Sequence, residues 1–319
     1  MSISVIDAVG AAYGRTKRVL FQPFDIGKWF VLGFCAWLAF LGEGGGPGFN
    51  GGVNFRAPRG RGGMPPEFQA PLDWARDHLP LVIVLGVCLL LVCTVIGVVL
   101  TWLQSRGKFM FLDGVVRNRG AVVEPWRQFR VQGNSLFWFR IVLGVIGLAA
   151  LTLIAVLALG IAWVDIQAGE FGVAAVAGIV TGVLLFIPIV LVMVVIQLLL
   201  EDFVVPVMYL KGLRAWAAWG VFFREVVAGH FGAIILFYLL KIVLGLAAGL
   251  LTCLGCFMTC CLLGCLMALP YLGTVVLLPL FVFFRCYSLY FVQQCGPAWQ
   301  VFRDEWPDGT PLPVPPPSA

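Results

Sequence analysis

The chain has 319 residues, of which 61% are hydrophobic and only 12% are charged, with a formal net charge of +5. A soluble domain carries about a quarter charged residues, so this composition excludes an ordinary soluble globular protein and points to a membrane. The small positive excess is a topology signal, not a nucleic-acid footprint, and no nucleic-acid partner is expected.

A bilayer core of ~30 Å needs about 20 apolar residues per helix, and long uncharged runs cover most of the chain. The runs are continuous rather than alternating, and too long for barrel strands. The fold class is therefore all-α: a polytopic membrane bundle of about six transmembrane helices, with amphipathic helices at one interface.

Residues 1–27 precede the first span. Within 4–20, Ile6, Val9, Tyr13 and Leu20 recur at helical spacing, opposed to Ser4, Asp7, Ala11, Arg15 and Arg18. That pattern predicts a helix lying in the membrane plane, cations toward the headgroups, the alternative being a helix packed against the underside of the bundle. The segment lacks the order of charged start, apolar stretch and small-residue site that marks a cleavable signal, so the first span serves as its own insertion signal.

The bundle proper covers 28–295. Its spans are 28–42, which is short, then 79–104, 136–164 and 171–200, followed by 231–256 and 264–290. The segment 43–78 is rich in Gly, Pro and Arg, with no strand before it and no Lys-Ser/Thr after it. It reads as a flexible external loop, not a phosphate loop. A second interfacial helix starts at Pro125, where Trp126, Phe129 and Phe137 lie away from Arg127, Arg130 and Asn134. A third, within 207–227, sets Leu213, Trp216, Phe223 and Val227 against Lys211, Arg214 and Glu225.

The last two spans follow from one observation. Lys241 and Arg285 enclose 43 residues without a charge, and a single helix of that length would measure about 65 Å, twice the hydrocarbon thickness. The chain must turn back near Phe257–Gly264. Pro188, Pro270 and Pro279 mark kinks in the spans that hold them. The tail, 296–319, is Pro-rich and extended, suited to docking a partner's groove or to remaining disordered.

Five of the ten cysteines, Cys253, Cys256, Cys260, Cys261 and Cys265, crowd the turn between spans five and six. Their neighbours are apolar, and a zinc site wants four converging ligands with a polar surround. Cysteine here reads as a small hydrophobe that, with Gly255 and Gly264, lets two helices approach closely; disulfides at the outer face are the alternative. Neither a metal nor a cofactor is expected.

Lys and Arg gather before span one, between spans two and three, and between four and five, while the connections 3–4 and 5–6 have none. Both termini are therefore expected in the cytoplasm, in an inner (plasma) membrane. The four arginines of the 43–78 segment fit this least well. An internal repeat is also suggested: "MFLDG" (110–114) leads to "WRQFR" (126–130), "MYLKG" (208–212) to "WGVFFR" (219–224), and "FVQQCGPAWQVFR" (291–303) again follows Gly with Trp, Phe and Arg. The implied unit is an interfacial helix followed by a two-span hairpin.

Residues 199–240 resemble the repeated unit of the membrane domain found at the N-terminus of some bacterial glycerophosphoryl diester phosphodiesterases. In that unit an apolar span ends at Phe-x-x-Pro, here Phe203 to Pro206, and a short amphipathic helix leads into the next span. The resemblance implies a six-helix-type membrane domain of unassigned activity. It does not imply the phosphodiesterase, whose soluble barrel needs histidines and a carboxylate-bound metal. This chain has two histidines, His78 and His230, expected at opposite membrane faces, so no catalytic residues are assigned.

Ionisable residues near membrane depth are the better pointers. Glu201, Asp202, Lys241 and Arg285 form a candidate polar cluster for a lipid headgroup, the acids pairing with the cations. Trp126, Arg130, Trp216, Trp219, Arg224, Trp299 and Arg303 are candidate interfacial anchors. The expected function is a non-enzymatic scaffold or lipid-interacting membrane module, and the alternative is a small transporter for an amphiphilic substrate. Expected partners are membrane lipids and either a second copy or another membrane protein.

Overall fold

The computed structural model describes residues 4–41, 78–169, 172–259 and 262–302. Its helices are α1 (Val5–Phe21), α2 (Ile26–Ala39), α3 (Leu79–Val116), α4 (Val123–Gln128), α5 (Arg130–Ala168) and α6 (Val173–Leu199), then α7 (Val205–Lys211), α8 (Ala215–Val221), α9 (Ala228–Met258), α10 (Leu262–Ala268), α11 (Pro270–Val276) and α12 (Leu278–Gln293). Two π-helical turns join pieces end to end, Leu200–Val204 between α6 and α7 and Phe222–Val227 between α8 and α9. The protein is an all-α membrane bundle. Among the described residues, four helical stretches are long and apolar enough to cross a bilayer: Leu79–Val116, Arg130–Ala168, Val173–Lys211 and Ala215–Met258, the last kinked at His230, whose φ of −142° is not helical.

The first and last expected spans take a shorter form. Residues 28–42 become α2, 14 residues or about 21 Å long. It runs antiparallel to the C-terminal end of α3, where Gly107 faces the backbone of Leu38 and Ala39 and Gly114 faces Leu32. Residues 264–290 become α10, α11 and α12, because Pro270 and Pro279 each open a new helix. Proline lacks the N–H and crowds the preceding turn, so Leu269 ahead of Pro270 is extended. Pro188, by contrast, sits inside an unbroken α6. The expected turn matches the gap between the end of α9 at Met258 and the start of α10 at Leu262.

The packed core is at one end of the bundle, where the cations also gather. From Leu79 to Val99 every residue of α3 except Val82 is exposed; that run spans about 31 Å, the thickness of the hydrocarbon. Burial begins at Gln104 and holds through Val115. The same level holds Leu200–Met208, buried except for the half-buried Glu201, and most of α12 from Phe281 to Gln293. Aromatic rings fill it: Phe203 meets Phe222, Phe237 and Phe291 at 5.2–5.6 Å between centroids, and Phe237 stacks on Tyr287 at 4.6 Å. At the other end, α5 and α6 form a hairpin closed by small residues. A Cβ on Gly178 would reach the Ala158 carbonyl oxygen at 2.5 Å, the close approach that holds helices together in lipid.

The expected interfacial helices are drawn into this core. α1 packs Val5, Ala8, Ala12, Thr16 and Val19 inward and leaves Ile6 and Tyr13 exposed. Arg15, expected among its outward cations, is buried: its Nη2 donates to the Val116 carbonyl at 2.6 Å, and its guanidinium lies 4.7 Å from the Phe302 ring centre. Residues 207–227 are not one helix. Gly212, in the left-handed region at φ 65°, ends α7, a conformation that favours glycine, and α8 then runs through a π-helical turn into α9. The helix expected from Pro125 is likewise cut at Phe129, between α4 and α5. The tail from 303 and the segment 42–77 lie outside the described residues.

Gly107→Val should lower the thermal midpoint in detergent sharply, since its Cβ would meet Leu38 carbonyl carbon at 2.6 Å and overpacking costs about 1–3 kcal/mol. Gly86→Val, with nothing within 4 Å of the new Cβ, should leave the midpoint nearly unchanged.

Candidate functional site

The site is organised by a proline. Val205 donates its N–H to the Leu200 carbonyl, five residues back. The next donor in that π pattern would be residue 206, but Pro206 has no N–H. The Glu201 carbonyl loses its π-type donor and the Asp202 carbonyl its α-type one. Both are satisfied from α12: Arg285 Nη1 donates to the Glu201 carbonyl at 2.9 Å, and the Ser288 hydroxyl donates to the Asp202 carbonyl. A buried carbonyl left without a donor is costly, so these two bonds pin α12 to the end of the third long helix.

The wider π turn projects the two neighbouring carboxylates to different partners. Glu201 Oε1 accepts from Lys108 Nζ, from Arg140 Nη2 at 2.9 Å and from Gln197 Nε2 at 2.8 Å. Arg140 Nη1 also donates to Gln104 Oε1 at 2.7 Å. Asp202 takes Lys241 Nζ on both oxygens, at 2.7 and 2.5 Å. The four residues of the candidate cluster thus meet at one level, with Arg285 donating to the Glu201 backbone carbonyl. Sequence reasoning missed Lys108, Arg140, Gln104 and Gln197. Lys108 was absorbed into the count of topology charges, and Arg140 is an unremarked arginine inside span 136–164. The Gln197/Glu201 pair at i, i+4 was also readable as one face of a helix.

A second ionic centre surrounds Asp113, fully buried in the MFLDG segment. It pairs with Arg117 at 3.0 Å and Arg119 at 3.1 Å, and accepts from the Tyr209 hydroxyl at 3.0 Å. Tyr209 belongs to the MYLKG segment, so the MFLDG and MYLKG segments meet. Arg119 also bonds Glu124 at 2.7 Å, and that carboxylate holds its guanidinium above the ordinary range.

The candidate anchors divide. Trp216 is 67% exposed, and Arg130 and Arg224 are exposed. Trp126 is half-buried against Trp102. Trp219 and Trp299 are buried, the latter under the Lys211 ammonium; these two serve the core rather than the surface. Arg303 lies outside the described residues. At the cysteine-rich turn Cys253 and Cys265 are exposed thiols, and a Cβ on Gly264 would stand 3.1 Å from Cys256 Sγ. Cys260 and Cys261 lie outside the described residues. Among the described residues no three His, Cys, Asp or Glu side chains converge as metal ligands. Beyond α12, burial pushes the Cys295 thiol up to about 11, away from thiolate chemistry.

Beside the Glu201 cluster a cleft of about 690 Å³ lies between α3, α5 and α6. Its walls are Gly97, Leu100, Leu143, Gly144, Gly147, Leu148, Leu151 and Met193, and its polar end is Thr101, Gln104, Arg140 and Gln197. An apolar slot that ends in a guanidinium and two amides has the polarity order of an amphiphile.

The chain belongs to DUF7544, a family of unknown function, whose model matches residues 3–278. No curated protein and no solved structure matches the chain.

If Pro206 creates the need for Ser288, the two residues are coupled. Ser288→Ala should destabilise the protein by about 1–3 kcal/mol, the cost of an unsatisfied buried carbonyl. In a Pro206→Ala background, which restores an N–H, the same change should cost less, with a coupling of about 1 kcal/mol. Strict additivity in denaturant unfolding would show that the proline is not the cause.

Proposed function

We propose that the protein is a non-enzymatic, lipid-interacting module of an inner (plasma) membrane, its charged end and both termini on the cytoplasmic side. The cleft carries this reading. It lies between helices whose apolar halves are exposed, and its polar end lies where the hydrocarbon run of α3 stops. A lipid could enter from the bilayer with one acyl chain along Gly97, Gly144 and Gly147 and its head near Arg140, Gln104 and Gln197. The orientation follows from the gathering of Lys and Arg at that end. A binding role rather than a catalytic one is supported by the ionisable residues: Glu201, Asp202, Lys241 and Arg285 are bound to one another or to backbone.

The transport alternative draws on the two π-helical turns, which interrupt two of the long helices and are of a kind frequent at functional sites. Phospholipid scrambling in proteoliposomes above the protein-free rate would favour it.

Native mass spectrometry of protein released from nanodiscs should find stoichiometric phospholipid on the wild type. Gly144→Leu fills the slot where nothing lies within 4 Å of the new Cβ, so the fold should persist while that lipid is lost. A wild-type particle without lipid would overturn the reading.

A further inference from the structure

We infer that Arg106 and Arg130, framed by Trp102 and Trp126, form a binding site for the phosphate of an anionic membrane lipid, separate from the cleft. This inference rests on the lipid-interacting reading and adds the headgroup chemistry.

Depth comes first. The exposed apolar run of α3 ends at Val99, and Trp102 follows, at the position of an interfacial aromatic belt. Arg106 is one turn further, about 6 Å deeper toward the charged end, at the level of lipid phosphates. The cleft's lining residues Thr101 and Gln104 lie on a different face of α3, so the two sites do not share a wall.

The site is built. The Arg106 guanidinium lies 4.5 Å from the Trp102 ring centre and 4.8 Å from that of Trp126, the two indoles meeting edge to face. Gly133 allows α5 to close on the arginine stem, since a Cβ there would touch Arg106 Cγ at 3.0 Å. Asn134 Oδ1 accepts from Nη2 at 3.0 Å. Arg106 is only 8% exposed, yet no carboxylate pairs with it among the described residues, and its buried Nε has no partner. Arg130, one turn before Asn134 on the same face of α5, adds a second positive charge beside it. A nearly buried cation wants a counter-charge, and two arginines with unused donors present a fork that suits a phosphodiester. The indoles hold the stem rigid and shield it from water.

The test uses nanodiscs of phosphatidylcholine with phosphatidylglycerol, and reads retained lipid by native mass spectrometry. The wild type should retain phosphatidylglycerol in preference, by about fivefold for each arginine engaged. Arg130→Gln, an exposed change that spares the fold, and Arg106→Gln should each reduce that preference, while Arg224→Gln, an exposed cation elsewhere, should not. Should Arg106→Gln fail to fold, Arg130→Gln carries the test alone. An unchanged preference in folded Arg130→Gln, or an equal loss in Arg224→Gln, overturns the inference. So does stabilisation by inorganic phosphate, lost in Arg130→Gln, without any lipid preference: that would make the ligand a soluble anion. Retained phosphatidylcholine with no headgroup preference sinks this site alone, whereas a lipid-free wild type sinks the lipid-interacting reading with it.

Discussion

The absent N–H of Pro206 is the constraint on which the charged end depends. A helix that kept its hydrogen bonds through residue 206 would have no use for Arg285 or Ser288, and α12 would have no polar reason to lie against it. With the proline in place, two carbonyls need donors from outside, and α12 supplies both. The π turn that precedes the proline then separates Glu201 and Asp202, sending one carboxylate toward α3 and α5 and the other toward α9. One missing hydrogen thereby ties four helices together. Ion pairs so placed add little net stability, because desolvation offsets the Coulomb gain, but a broken pair is strongly disfavoured. Their effect is to fix which helix ends meet.

The fold class, the four long helices and the turn after Met258 were legible because they follow from length and hydropathy, which the bilayer imposes directly. The failures are of one kind. Amphipathic patterning in 4–20 and 207–227 identified polar and apolar faces but not what each face would meet. Arg15 looked like a headgroup cation and is instead consumed by the Val116 carbonyl. Trp219 and Trp299 looked like belt residues and are core. A residue near the membrane surface can turn to lipid, water or protein, and periodicity alone does not choose among the three.

The candidate cluster was half legible. Glu201, Asp202, Lys241 and Arg285 stood out as charges beside apolar runs, and the Asp202–Lys241 pair is as expected, but the bond from Arg285 to the Glu201 carbonyl was not foreseen. The Phe-x-x-Pro segment was read as a resemblance, not as a hydrogen-bond deficit, and only that deficit explains the bond from Arg285 to a backbone oxygen. Lys108 was lost because positive residues near span ends were counted for topology, a use that stops the question of what each one binds, and Arg140 because it lies inside an apolar span.

The position of the core follows from where the hydrophobic effect can act. Within the hydrocarbon, apolar side chains gain nothing by leaving lipid for one another, so association there needs close backbone packing. The Ala158–Gly178 crossing provides it for α5 and α6, and Leu79–Val99 of α3 lacks it and stays uncovered. Past the hydrocarbon edge water returns and burial is again favourable. That is the level at which Phe203, Phe222, Phe237, Tyr287 and Phe291 converge. A protein arranged in this way is tightly packed past the hydrocarbon edge and uncovered along its apolar helices, and the cleft between α3, α5 and α6 lies where the two regimes meet.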